Sequence, residues 1–122
     1  AYVSMEEFGT QYAAEALLPS TSLEIQDELA GVISKVNPKI YIQLMRSAML
    51  GDFTSLLAAV KAPTLVLIGE GDTIAPRSES DFIVRKIPNA TLEVIPGAGH
   101  LACLDNPSAF DGAVGKFLDS RR

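Results

Sequence analysis

The sequence predicts an α/β fold built on a parallel sheet, and it predicts that this chain carries only part of that sheet. Within residues 61–122, Thr64–Ile68 and Thr91–Ile95 have strand patterns, and Ser78–Lys86 between them has a helical one. A strand, a crossover helix and a second strand form the repeating unit of parallel sheets. Natural sheets usually have about five or six strands, so we expect further strands from outside this chain and an incomplete fold.

The first predicted strand has the composition of a strand buried on both faces. Its residues, Thr64–Ile68 (TLVLI), are almost continuously apolar and partly β-branched, which is typical of a parallel sheet covered by helices. A helix should follow the second strand over about Pro107–Leu118. Its start is indicated by Asn106-Pro107, because asparagine is a favoured N-cap and proline is tolerated at the first helical position.

Residues 1–60 differ from the rest of the chain because they show helical patterns only. The first helix is expected over Met5–Leu18, which Pro19 follows directly. Ser22 should cap a second helix, and Asn37-Pro38 should start a third that ends near Gly51. A short helical piece is predicted after that glycine. The chain therefore divides into a helical region, 1–60, and an α/β region, 61–122.

Composition excludes several classes of function. The formal net charge is −5, and the adjacent basic pairs, Arg85-Lys86 and Arg121-Arg122, form no larger basic cluster, so we expect no nucleic-acid partner. With one cysteine and one histidine, the chain can form neither an internal disulfide framework nor a Cys-rich zinc site, and we expect no metal. No run approaches the ~20 apolar residues of a membrane span, and the start shows no basic-then-apolar pattern of a signal peptide. We expect a cytoplasmic protein, and the start at Ala1 suggests that the natural beginning is missing or that an initiator methionine was removed.

Two glycine-containing loops leave the two predicted strands. The first runs from Gly69 to Pro76 and carries Asp72, and the second ends in Gly99-His100. Ligands of α/β sheets bind at the carboxyl ends of the strands, so we expect the carboxylate and the imidazole side by side. A carboxylate in this position fixes the histidine tautomer and stabilises imidazolium, which leaves the other ring nitrogen free to take a proton from a nucleophile.

These two segments resemble the end of an α/β-hydrolase. The resemblance is carried by PTLVLIGEGDTIAP over Pro63–Pro76 and by IPGAGHLACLDNPSAF over Ile95–Phe110. It implies that Asp72 is the acid and His100 the histidine of a catalytic triad, that residues 1–60 belong to a cap or lid, and that no cofactor is needed. Within the family, the similarity is closest to small esterases, lactonases and 3-oxoadipate enol-lactonase-like enzymes.

One element of the family pattern is absent from the chain. None of the serines lies in a Gly-x-Ser-x-Gly elbow, which the strained turn at the nucleophile requires. We therefore expect the nucleophile outside this chain, together with the oxyanion hole, and we expect the chain alone to be inactive. The serines weighed and set aside are Ser34, Ser47, Ser55, Ser78, Ser80 and Ser108.

Other residues near the two loops have competing interpretations. Glu70 competes with Asp72 as the acid, but a solvated role, or a supporting role behind the residues that touch substrate, fits it better. Cys103 is a conceivable nucleophile, and we expect it instead to be a small buried apolar residue. Ile74, Leu101 and Met45 are candidate substrate-binding residues, although ordinary packing would explain each of them.

Two functions remain open from the sequence. The first is a serine hydrolase of an ester or lactone substrate, of which this chain is a part. The alternative is a non-catalytic binding module or an inactive half, since fold alone does not fix function. In either case the unpaired strand edge predicts association with the missing N-terminal half or with another copy of the chain.

Overall fold

The computed structural model describes residues 4–121, and within that range the chain forms seven helices and two strands. The α/β architecture with two parallel strands and flanking helices confirms the fold class predicted from the sequence. The elements in chain order are α1 (Met5–Ala16), α2 (Leu23–Ser34), α3 (Pro38–Leu50), α4 (Thr54–Leu57), β1 (Thr64–Gly69), α5 (Arg77–Lys86), β2 (Ala90–Ile95), α6 (Ala102–Asp105) and α7 (Pro107–Asp119).

The helix starts follow from local capping chemistry. The side chain of Ser22 accepts a hydrogen bond from the backbone at the start of α2, and that of Asn37 does the same for α3. Asn106 caps α7 in the same way. Each cap satisfies an N–H group that the helix itself leaves unpaired. The three N-caps predicted from the sequence are therefore confirmed.

The two strands pair in parallel, with Thr64 opposite Ala90 and Gly69 opposite Ile95. Helix α5 packs against both strands, and α7 packs against β2. Both strands end at the same edge because the register brings their last residues opposite each other. The loops that follow them therefore leave the sheet together.

The hydrophobic core lies beneath this edge of the sheet. One cluster in it consists of Ile95 and three alanines, with partly buried residues packed against them, and Leu17, Ile68 and Ile87 are buried as well. Residues 64–67 of β1 are only half-buried, although the sequence pattern is that of a strand covered on both faces. This difference arises because β2 is the only strand paired with β1 among the described residues.

The helical region leaves large apolar side chains in contact with solvent. Met49 is 85 % exposed and Leu50 is 87 % exposed at the end of α3. Where exposed apolar side chains form a contiguous surface, that surface usually marks an interaction site. Helices α2, α3 and α4, and the residue before α4, contribute further exposed apolar side chains, namely Leu23, Val32, Ile40, Ile42, Leu44, Phe53 and Leu56. Within residues 4–121, no helix is long and apolar enough to cross a membrane.

Two details differ from the sequence prediction. The four-residue helix α6 was not predicted as an element separate from α7. Cys103 lies in this turn and is exposed, so the expectation of a buried apolar cysteine is wrong. Ala102, the residue before it, is buried.

Candidate active site

The loops after β1 and β2 are joined by backbone hydrogen bonds. The N–H of Glu70 donates to the carbonyl of Ile95 at 2.9 Å, and the N–H of Gly71 donates to the carbonyl of Ala98 at 2.8 Å. These bonds extend the parallel pairing beyond the strands. The two loops therefore form one unit at the carboxyl edge of the sheet.

Gly69 allows the two loops to approach this closely. A Cβ atom at this position would lie 2.0 Å from the carbonyl oxygen of Gly99 and 2.4 Å from that of Ala98. Both contacts are with backbone, which cannot rotate away as a flexible side chain can. The glycine at the end of β1 is therefore required by the packing of the histidine loop against it.

Asp72 and His100 meet at this edge. Nδ1 of His100 lies 3.0 Å from Oδ2 of Asp72. The Asp72 side chain is only 5 % exposed, whereas that of His100 is 30 % exposed. The arrangement therefore buries the carboxylate and leaves part of the imidazole accessible, with Nε2 on the side of the ring opposite the bonded nitrogen.

The other oxygen of Asp72 is fixed by the backbone of its own loop. Oδ1 accepts hydrogen bonds from the N–H groups of Ile74 at 2.9 Å and Ala75 at 3.0 Å. Burial by itself raises the pKa of the Asp72 carboxyl, but the hydrogen bonds from Ala75, His100 and Ile74 outweigh it and lower the pKa overall. The carboxylate is therefore ionised and oriented before any ligand arrives.

A cavity of about 220 Å³ opens beside this pair. Its lining includes both Asp72 and His100, together with Leu101 and the two potential nucleophiles Ser80 and Cys103. Among the described residues, the side-chain hydrogen bond of His100 goes to Asp72 and not to either of these two. The geometry therefore gives neither Ser80 nor Cys103 the contact with a base that an activated nucleophile needs.

A second cavity, of about 280 Å³, lies in the helical region. Its lining is aromatic and aliphatic and includes Phe8, Tyr12, Tyr41 and Met45. The rings of Phe8 and Tyr41 lie 5.1 Å apart. Burial, then the neighbouring Tyr41 and then the charge of Asp72 raise the pKa of Tyr12, so this tyrosine lies within electrostatic reach of the acid.

The candidate substrate-binding residues have different positions. Met45 lines the aromatic cavity and Leu101 lines the cavity beside His100. Ile74 is 40 % exposed, and its backbone N–H donates to Asp72. Glu70 is exposed and accepts a hydrogen bond from the Gly97 N–H at 3.2 Å. This bond connects its side chain to the backbone of the loop that carries His100.

Asp105 has a part in the site that the sequence analysis missed. Its Oδ2 accepts a hydrogen bond from the Gly99 N–H at 2.6 Å, and its Oδ1 accepts from the Leu18 N–H at 3.1 Å and from the Thr21 hydroxyl. Leu18 is 87 residues away in sequence, so no local pattern could have shown this contact. Within residues 4–121, no group of three His, Cys, Asp or Glu side chains could hold a metal ion.

The sequence matches the family described as the alpha/beta hydrolase fold over residues 5–107. The chain belongs to the α/β-hydrolase family. An esterase from Thermogutta terrifontis is 28 % identical and superposes with a TM-score of 0.82 over 93 % of this chain and 43 % of its own. An enzyme that degrades N-acyl homoserine lactones is 25 % identical, with a TM-score of 0.73 over 93 % and 47 % of the two chains.

A curated member of the family shows the same partial overlap. The non-heme haloperoxidase of Rhodococcus erythropolis is 36 % identical over 70 residues, which are 57 % of this chain and 26 % of that protein. This α/β-hydrolase chain thus spans less than half the length of each of these relatives. It is a part of the fold, which explains why its sheet has an unpaired edge.

Proposed function

We propose that the natural protein containing this chain is a serine-type hydrolase of carboxylic esters or lactones. In this proposal Asp72 and His100 are the acid and the histidine of a catalytic triad. The observation that carries it is the 3.0 Å contact between the two side chains at the carboxyl edge of the sheet. The likeness to an esterase and to a lactone-degrading enzyme supports the substrate class.

His100 would act first as a general base. Its Nε2 takes the proton of a serine hydroxyl as the serine oxygen bonds to the substrate carbonyl carbon. When the tetrahedral species collapses, the bond to the alcohol oxygen breaks and that oxygen receives the proton from His100. Water then attacks the acyl-enzyme by the same route, and His100 takes one proton from water and returns it to the serine.

Asp72 would orient His100 and stabilise its charged form. Two backbone N–H groups hold Oδ1, so Oδ2 is fixed in the direction of the imidazole. The same bonds help to lower the pKa of the carboxyl, which keeps the negative charge in place while imidazolium forms. A rigidly held carboxylate stabilises the imidazolium beside it, because no group has to reorient as the positive charge develops.

The serine nucleophile and the oxyanion hole would lie outside this chain, in an N-terminal half of the fold. Residues 1–60 would then be the cap and residues 61–122 the C-terminal part of the hydrolase core. The open edge of β1 and the exposed apolar residues of α3 support a missing partner surface. The aromatic cavity around Met45 would hold an apolar part of the substrate, with Leu101 and Ile74 nearer the reacting bond.

Fluorophosphonate labelling of the natural protein, read by intact mass and peptide mapping, tests this function. We expect one label on a serine outside residues 1–122, and a large loss of labelling rate in His100→Ala. The exposed residue Asp111 gives a matched control, since Asp111→Asn should label at the wild-type rate. A label within residues 1–122 would contradict the external nucleophile. No label and no hydrolysis of esters or lactones would favour a non-catalytic binding module.

A further inference from the structure

Asp105 holds the backbone on the N-terminal side of His100. The N–H of Gly99 donates to Oδ2 of Asp105 at 2.6 Å, and a charged acceptor makes this hydrogen bond stronger than one between neutral groups. Gly99 also packs tightly, because a Cβ atom there would lie 3.1 Å from the same oxygen and 3.0 Å from the carbonyl of Ala16. Gly99, the residue before the histidine, is thus fixed by both hydrogen bonding and packing.

The backbone on the C-terminal side of His100 is held by the same part of the helical region. The N–H of Leu101 donates to the carbonyl of Ala16, the last residue of α1, at 3.2 Å. Asp105 reaches this region too, because its Oδ1 accepts from the Leu18 N–H at 3.1 Å. Residues on both sides of His100 are therefore tied to the end of α1.

The Thr21 hydroxyl completes the arrangement. It donates to Oδ1 of Asp105, so the carboxylate receives three hydrogen bonds, one from the histidine loop and two from residues 18–21. A carboxylate can accept all three because it offers only acceptor sites. An asparagine in its place would present an N–H₂ group to at least one of these donors. The arrangement is therefore specific to an acidic side chain at position 105.

We propose that Asp105 is a positioning residue that sets the placement of His100 against Asp72 and couples it to the α1–α2 segment. The inference rests on the proposed function only in that His100 is taken as the base. Asp105 does not contact the imidazole and acts through the Gly99 peptide. Small displacements of a reacting group can cost about 100-fold in rate, so this carboxylate affects turnover without touching substrate.

Two measurements test the proposal. In the natural protein, Asp105→Asn should lower kcat about 10- to 100-fold and leave KM unchanged, and Asp105→Glu should recover part of the loss.

In the 122-residue chain, His100 is the only histidine, so its Nδ1 proton is assigned without ambiguity by NMR. We expect Asp105→Asn to shift or broaden that resonance while the amide spectrum stays folded. Asp111→Asn, an exposed acidic neighbour on α7, is the control and should change neither.

The outcomes separate this proposal from the proposed function. If His100→Ala retains full activity, the proposed function fails. If His100→Ala is inactive but Asp105→Asn keeps the wild-type kcat and Nδ1 signal, the positioning role is wrong. Should Asp105→Asn not fold, Thr21→Val decides, because it removes one donor and keeps the carboxylate. A folded Thr21→Val protein with unchanged kcat and unchanged signal would also overturn the proposal.

Discussion

Nδ1 of His100 lies 3.0 Å from Oδ2 of Asp72, although 28 residues separate them in sequence. The contact exists because each residue follows a strand of the same parallel pair, three residues after Gly69 and five after Ile95. The carboxylate is more deeply buried than the imidazole. In the function we propose, Asp72 holds one nitrogen of His100 and the other nitrogen transfers protons to and from the substrate.

Asp72→Asn in the natural protein should lower kcat by about 10⁴-fold, because an amide holds the histidine in the wrong tautomer. Steady-state kinetics on an activated ester would measure this loss. The control is Glu70→Gln, which changes an exposed carboxylate in the same loop and should leave kcat close to wild type. Near-normal turnover by Asp72→Asn would contradict the assignment of the acid.

The stability of the chain should depend on pH through Asp72. Its pKa in the folded state is lowered from the ordinary value of 3.8. A carboxyl with a lowered folded pKa contributes stability that is present above its unfolded pKa and is lost as pH falls through the folded one. Urea unfolding between pH 2.5 and pH 7 should therefore show Asp72→Asn and wild type converging below about pH 3.8. A gap that stays constant over this range would argue against the prediction.

Gly69→Ala should destabilise the fold by about 1–3 kcal/mol, the usual cost of overpacking. The new Cβ would meet the carbonyl oxygens of Gly99 and Ala98, and the backbone bonds between the loops oppose a shift. The matched control is Gly115→Ala in α7, where a Cβ would meet nothing within 4 Å. This change should be neutral or stabilise by about 0.5–1 kcal/mol, because alanine is the better helix former. Thermal unfolding of both variants would show whether the two effects have opposite signs.

The exposed end of α3 should drive association of the isolated chain. Met49 and Leu50 together present a large apolar surface, so Met49→Lys with Leu50→Lys should shift the sedimentation profile toward the monomer. Gln43→Lys adds the same kind of charge at an exposed polar position of the same helix and serves as control. A wild-type chain that sediments as a monomer at all concentrations would refute this prediction.

The sequence could predict those parts of the fold that depend on local chemistry. The caps at Ser22 and Asn37 follow from side-chain oxygens placed before helical patterns, and the parallel strand pair follows from the apolar run at Thr64–Ile68. The meeting of Asp72 and His100 was predictable because parallel strands end at one edge. Their catalytic role stays a prediction.

What the sequence could not predict depends on contacts between distant segments. The hydrogen bonds of Asp105 to Leu18 and Thr21 join residues more than 80 positions apart, and no periodicity reports such a pairing. The exposure of Cys103 was also mispredicted, because its surroundings are set by the one-turn helix α6. Each of these errors concerns side chains whose partners are brought together only by the tertiary fold.

Asp105 accepts hydrogen bonds from Leu18 and Thr21, and Leu101 donates one to Ala16, so these bonds join the helical region 1–60 to the α/β region 61–122. The linker there includes the exposed Lys61, a site that trypsin recognises. A nick at this peptide bond would cut the chain between its two regions but would leave these contacts intact. The two pieces should then stay together on gel filtration and separate only in denaturant. The boundary between the helical region and the α/β region is therefore not a boundary between independent domains.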